Sequence, residues 1–148
     1  MYLLDTNVIS SIAPSRRANP DGLAKWLHAA SDGLFLSVVS ASEIFAGIRK
    51  KESEGAFQWA IEMREWWRRI NAAFGPRILP FDMECAIIAG NLVYDFRAFD
   101  PGYEDIAIAA TAKVHGLTVL TGNVRHFEPL GVPVVNPFVA LPELPSSR

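Results

Sequence analysis

Three carboxylates carry the chemistry this sequence could perform: Asp5, Glu43 and Asp105. Each follows a short apolar run or a loop and opens a stretch of helical periodicity with an apolar inner face. Were the three to meet, each pair of charges about 4 Å apart would repel by roughly 4 kcal/mol at an effective dielectric of 20, so the cluster would need protons or a cation. No His or Cys cluster accompanies them. An all-oxygen ligand set suits a hard divalent ion such as Mg²⁺ or Mn²⁺, not zinc, and a water on such an ion can be turned against a phosphodiester.

Each acid also has a purely structural reading. Asp5 is placed to cap the helix after it. Ser40-x-x-Glu43 has the form of a capping box. Asp105, like its neighbour Glu104, suits the positive end of a helix dipole. Singly the structural reading is ahead; three acids in equivalent positions point toward a shared site.

The elements that must position them alternate between strand and helix. Tyr2-Leu3-Leu4 is a buried strand that delivers Asp5-Thr6-Asn7 at its end, followed by a short helix over Val8–Ala13. Asn19-Pro20 gives a cap and a first-position proline to a helix whose Leu23, Trp26, Leu27 and Ala30 share a face. Leu34–Val39 is the second strand, and Ser40 opens the helix that carries Glu43. The spacing of Ala56, Trp59, Ala60, Met63, Trp67, Ile70 and Phe74 predicts a long amphipathic helix stopped at Gly75-Pro76. Arg77–Phe81 is a weaker strand that Pro80 confines to an edge. Asp82 caps a helix reaching Phe96; the helix over Ile106–Val114, apolar nearly all round, packs between layers; Leu117–Thr121 and Val132–Val135 are the last strands. The pattern specifies an α/β fold with a mainly parallel sheet covered on both faces.

Half of the 148 residues are hydrophobic, enough for one domain with a true core. The single cysteine, Cys85, rules out an internal disulfide framework. A formal net charge of −2 excludes a polycation that coats nucleic acid. No basic leader and no long apolar run is seen, so the expectation is a cytoplasmic protein with no membrane partner. Residues 1–138 form the expected domain; the stretch from Pro137 onward looks mobile, and residues 139–148 are set apart as a Pro/Ser-rich tail.

Leu3-Leu4-Asp5-Thr6-Asn7-Val8-Ile9, Ser42-Glu43-Ile44 with Gly47-Ile48, Asp105-Ile106-Ala107-Ile108-Ala109-Ala110-Thr111-Ala112, and His115-Gly116-Leu117 on through Asn123 to Phe127 resemble, in order and spacing, the motifs of PIN-domain proteins. The resemblance is strongest to VapC-type toxins, including the FitB-like branch, and runs from residue 2 to about Phe138. It implies a three-layer α/β/α domain and a Mg²⁺- or Mn²⁺-dependent ribonuclease acting on RNA, held inactive by a cognate antitoxin and expected as a homodimer. Asp5, Glu43 and Asp105 match the family's acidic metal-site residues, and Thr6 its small polar neighbour. Three positions depart from the pattern. Asn123 stands where many relatives carry Asp, Gly122 where many FitB-like relatives carry Arg, and His126 where many carry Asp.

Arg49, Lys50 and Lys51 end the Glu43 helix, and of these Arg49 is the candidate for an RNA phosphate, with Thr6 and Asn123 candidate substrate contacts. Arg16 and Arg17 sit in a loop that could meet RNA or an antitoxin. Trp59 and Trp67 belong to the inner stripe, whereas Trp66 falls beside it and could serve a partner surface. His115 and His126 have no assigned role. Two rival readings stand beside the nuclease. One is a phosphatase using Asp5 as nucleophile in the haloacid-dehalogenase manner, which wants an Asp where this chain has Asn7; the other is a catalytically weak PIN-like module that binds RNA or protein.

Overall fold

The computed structural model describes residues 1–15 and 22–145. The expected Asn19-Pro20 helix start and the Arg16-Arg17 loop lie outside the described residues.

Five parallel strands, β1 (Tyr2–Leu4), β2 (Leu34–Ser37), β3 (Ile78–Leu79), β4 (Thr118–Leu120) and β5 (Val134–Val135), form one sheet in the order β3-β2-β1-β4-β5. The strands are buried on both faces, as a parallel sheet requires. Leu4 and Leu120 point into one core with Leu34 and Leu36, while Leu3 and Val119 point into the other. The first core is closed by α1 (Thr6–Ser11), α2 (Leu23–Ala29), α3 (Val38–Ser53) and α4 (Phe57–Phe74); the second by α5 (Met83–Asp95), α6 (Tyr103–His115) and α7 (Val124–Phe127). This is the three-layer α/β/α arrangement. Helix α6 lies deep, with every residue from Ile106 to Ala112 buried, as its all-round apolar character requires. It ends on Gly116, whose φ of +61° is the left-handed conformation that glycine adopts without strain.

The order of strands decides where a site can be. From β1 the chain builds outward through β2 and β3, then crosses back to place β4 on the other side of β1. The connections leaving β1 and β4 therefore diverge, and they open a crevice at the carboxyl ends of these two strands, the usual ligand position in an open parallel sheet.

Three expectations are corrected. Strand β2 stops at Ser37, and α3 begins at Val38, inside the run Leu34–Val39 read as strand. The cap of α3 is Ser37, whose Oγ accepts from the Val39 amide at 3.1 Å, and the Ser40–Glu43 capping box is not made. Ser40 is instead buried within the first turn, its hydroxyl unpaired among the described residues. Trp66 is 5 % exposed and packs edge-to-face on Trp67 at 6.5 Å, so it belongs to the core and is not a partner surface. Residues 139–145 lie along the domain: the Trp26 indole donates to the Pro142 carbonyl at 2.8 Å and the Tyr2 hydroxyl to that of Glu143 at 3.0 Å. Gly33 permits this close approach, since a Cβ there would lie 2.3 Å from Pro145 Cβ. No helix among the described residues is long and apolar enough to cross a membrane.

Candidate active site

Asp5 follows β1 directly, and its own amide donates to the Leu120 carbonyl of β4 at 2.9 Å, which pins it at the crevice. Its carboxylate is almost wholly buried. Oδ1 accepts from the Thr6 amide at 2.7 Å; Oδ2 accepts from Asn7 Nδ2 at 2.6 Å and from Thr121 Oγ1 at 2.6 Å. Asp5 thus caps α1, as its position after a strand suggested, and it does so with one oxygen while the other is fixed by side chains.

Those two fixing residues are themselves held. Asn7 Oδ1 accepts from the Gly122 amide at 3.0 Å, and Thr121 Oγ1 accepts from the Asn123 amide at 2.9 Å and from Asn7 Nδ2 at 3.1 Å. Asn7 and Thr121 therefore stitch the end of β1 to the end of β4. The phosphatase reading fails at this point, because the position that would supply a second acid is an amide committed to holding Asp5.

Glu43 lies in the second turn of α3, released from capping by the earlier helix start. It faces α1, where Thr6 Oγ1 donates to Glu43 Oε2. Thr6 consequently touches two acids, Asp5 through its amide and Glu43 through its hydroxyl. Asp105 enters from the first turn of α6, and His126 Nδ1 of α7 lies 2.8 Å from its Oδ2.

The charge of Asp105 reaches both Asp5 and Glu43. Burial pushes the Asp5 carboxyl above the ordinary carboxylate range, its hydrogen bonds to Thr121 and Thr6 pull it back, and the charge of Asp105 pushes it up again. Glu43 is likewise raised, first by burial and further by the charges of Asp5, Asp105 and Glu104, against the opposing effect of Thr6. The acids repel one another and want positive charge.

Among the described residues, no three acidic, His or Cys side chains are drawn tightly enough to enclose an ion. Their donors nonetheless fit a hard divalent cation. Asp5 Oδ1 takes a single hydrogen bond, and Glu43 Oε1 and Asp105 Oδ1 take none among the described residues, which leaves each acid an oxygen with lone pairs to give.

From Thr6 and Glu43 a groove of about 300 Å³ runs between α1, α3 and α4, with Ser10, Lys50, Lys51 and Trp59 in its walls. Arg49 is not in it. Its side chain is 73 % exposed and pairs with Glu52 at 3.1 Å, and Arg64 engages the same carboxylate. Asn123 contributes its backbone amide to Thr121, and its side chain makes no hydrogen bond among the described residues. At Gly122 the Phe138 ring lies so near that a Cβ would come within 3.2 Å of it.

A fold with acids at the β1/β4 crevice, supplied in turn by the end of β1, by α3 and by α6, has a counterpart in known families. The model of the PIN domain matches residues 2–130. The chain belongs to the PIN-domain family. Three relatives cover nearly all of it. Plasmid stability protein StbB of Pseudomonas syringae pv. tomato is 36 % identical over 143 residues, 95 % of this chain and 100 % of that one. VapC ribonuclease Y4jK of Sinorhizobium fredii is 30 % identical over 93 % of this chain and 98 % of its own. Toxin FitB of Neisseria gonorrhoeae is 33 % identical over 93 % and 99 %. The solved structure of FitAcB from the same species superposes with a TM-score of 0.78 at 32 % identity, over 93 % of this chain and 99 % of that one. PIN-domain ribonucleases as a class depend on a divalent metal.

Within this PIN domain, the sequence picked out the three acids and Thr6; Thr6 hydrogen-bonds both Asp5 and Glu43, whereas Asp105 is hydrogen-bonded to His126 and reaches the other two acids through its charge alone. The sequence missed Asn7 and Thr121 as the residues that hold Asp5, and it left His126 without a role. The available signal for Thr121 was its place at the end of β4, equivalent to that of Asp5 at the end of β1.

Proposed function

We propose that this PIN domain is a metal-dependent endoribonuclease and the toxin of a type II toxin–antitoxin pair, neutralised by a cognate antitoxin and assembled as a homodimer. The observation that carries the reading is Thr6, which binds Asp5 and Glu43 at once while Asp105 lies close enough for its charge to raise both carboxyls. Relatives named as a ribonuclease and as a toxin support the activity and the role, and the FitAcB structure supports the partner. Residues 1–138 form the nuclease unit in this reading.

Asp5, Glu43 and Asp105 would hold Mg²⁺ or Mn²⁺, which when bound supplies charge neutralisation and an acidified water. The chain's own residues do the rest. Asn7 and Thr121 fix the plane of the Asp5 carboxylate, and Thr6 keeps Glu43 turned toward it. Lys50, without an ion pair among the described residues, offers its ammonium to a backbone phosphate in the groove. Asn123, whose side chain makes no hydrogen bond among the described residues, would offer its amide to substrate and adds no charge to the acids.

The test is cleavage of single-stranded RNA by the purified chain with Mg²⁺, with Mn²⁺ and with chelator. Cleavage with either metal and none with chelator is expected. Cleavage indifferent to chelator would overturn the metal assignment. For the biological role, expression alone should arrest growth and co-expression of the adjacent small gene should restore it; unimpaired growth on expression alone would remove the toxin label.

A further inference from the structure

We propose that the cavity between the α5–α6 loop and α7 receives one unpaired nucleobase of the RNA strand held at Asp105, an inference that rests on the ribonuclease reading. The cavity measures about 130 Å³ and is walled by Phe96, Phe99, Asp100, Arg125, His126 and Pro129. Room of about 10–15 Å³ serves one water, so this space takes on the order of ten heavy atoms, the size of a base.

Its position ties it to the cleavage site. His126 lines the cavity and also lies with Nδ1 2.8 Å from Asp105 Oδ2, so one side chain separates the cavity from the acid cluster.

The chemistry of the walls selects the base over the other parts of a nucleotide. Phe99 is 71 % exposed although large and apolar, and it meets the half-buried Phe96 at 6.4 Å between ring centroids with the two rings tilted by 49°, which leaves an exposed aromatic ring in the cavity wall. Bases stack on such rings whatever their sequence. Asp100 in the same wall repels a phosphate, so an anion does not belong inside. Arg125 is exposed and unpaired among the described residues, free to stack on the base or meet its phosphate. Phe99 has no structural duty that explains its exposure, and it lies on the α5–α6 loop rather than in either core.

The experiment is the affinity of the full chain for a labelled single-stranded RNA hexamer in chelator at low salt, read by fluorescence anisotropy. It is run with Phe99→Ala, Phe99→Tyr and, as a distant exposed aromatic, Phe57→Ala. A second series replaces each nucleotide in turn by an abasic one. Phe99→Ala should weaken binding about tenfold, within the range measured for losing one base–aromatic stack, whereas Phe99→Tyr and Phe57→Ala should leave it unchanged. One abasic position should cost the wild type about as much and cost Phe99→Ala nothing further. No binding by the wild type, equal binding by Phe99→Ala, or losses independent of abasic position would each overturn the proposal. So would a result in which Phe99→Ala weakens the antitoxin complex and not the RNA complex, which would give the cavity to a protein side chain. Because no cleavage is read, the two claims separate. A chain that binds as described but never cuts RNA defeats the ribonuclease reading alone, and one that cuts RNA with Phe99 irrelevant defeats this proposal alone.

Discussion

Thr121 Oγ1 donates to Asp5 Oδ2 at 2.6 Å across 116 positions of sequence. The same hydroxyl accepts from Asn7 Nδ2 and from the Asn123 amide, so one oxygen holds together the ends of β1 and β4. Thr121→Val keeps the shape and removes the oxygen, leaving a buried carboxylate short of a donor and an amide short of an acceptor. The expected loss of stability is about 1–3 kcal/mol, read as a lower urea midpoint at unchanged m-value. Cleavage should fall as well, because the carboxylate is then free to rotate. An unaltered midpoint would show that the network contributes nothing net.

The two raised carboxyls make a claim about pH. Ionising Asp5 or Glu43 is harder in the folded chain than in the unfolded one, chiefly because of burial. The stability that their protonated forms contribute is complete below the ordinary carboxylate range and is lost as pH rises through the raised values. Glu52, Glu54 and Asp82 are lowered and act oppositely, but their effect falls at and below ordinary carboxylate values. Metal-free protein should therefore gain in Tm as the pH is lowered from about 7 toward that range. Glu43→Gln should raise Tm at neutral pH by a few degrees and flatten the slope. A Tm that falls over the same window would contradict the raised carboxyls of Asp5 and Glu43.

Lys50 and Arg49 are neighbours in sequence with different expectations. Lys50 lines the groove that leads from Thr6 and Glu43, whereas Arg49 is committed to Glu52. Lys50→Ala should weaken RNA binding and reduce its log–log salt slope by about 1, and Arg49→Ala should change neither. The reverse result would relocate the phosphate track.

Trp66 supplies a separate check on what is core. Its truncation to Ala should cost about 3–5 kcal/mol of unfolding free energy, the usual penalty for a buried tryptophan. A stable Trp66→Ala variant that had lost only antitoxin binding would return this residue to a partner surface.

How much of this was legible in the sequence depends on how far each signal reaches along the chain. Asp5, Glu43 and Asp105 were visible because each marks a local change from apolar run to helix, and the resemblance to PIN domains fixed their joint meaning. The end of β2 was not, because Val38 and Val39 are β-branched and extend the strand pattern, although the Ser37 hydroxyl already caps α3. That shift of about one turn is what frees Glu43 from its expected capping role. Thr121 and His126 act on partners 116 and 21 positions away, and neither partner is implied by local spacing. Trp66 sits beside the periodic stripe of α4 and is nevertheless buried. Helical periodicity gives the centre of a buried face but not its width, which depends on what packs there. Arg49 was named as the candidate for an RNA phosphate, and its intrahelical partner three residues on, Glu52, was not implied by that choice.

The central claim is that the acid cluster around Thr6 hydrolyses RNA with a divalent cation. The most direct measurement is single-turnover cleavage of a single-stranded RNA in Mn²⁺ by the wild type and by Asp5→Asn and Asp105→Asn, each checked for folding by far-UV circular dichroism, with Mn²⁺ affinity measured in parallel by titration calorimetry. Both variants should stay folded, bind Mn²⁺ at least about tenfold more weakly and lose cleavage by a factor of about a hundred or more. Folded variants that cleave RNA at the wild-type rate would contradict the assignment.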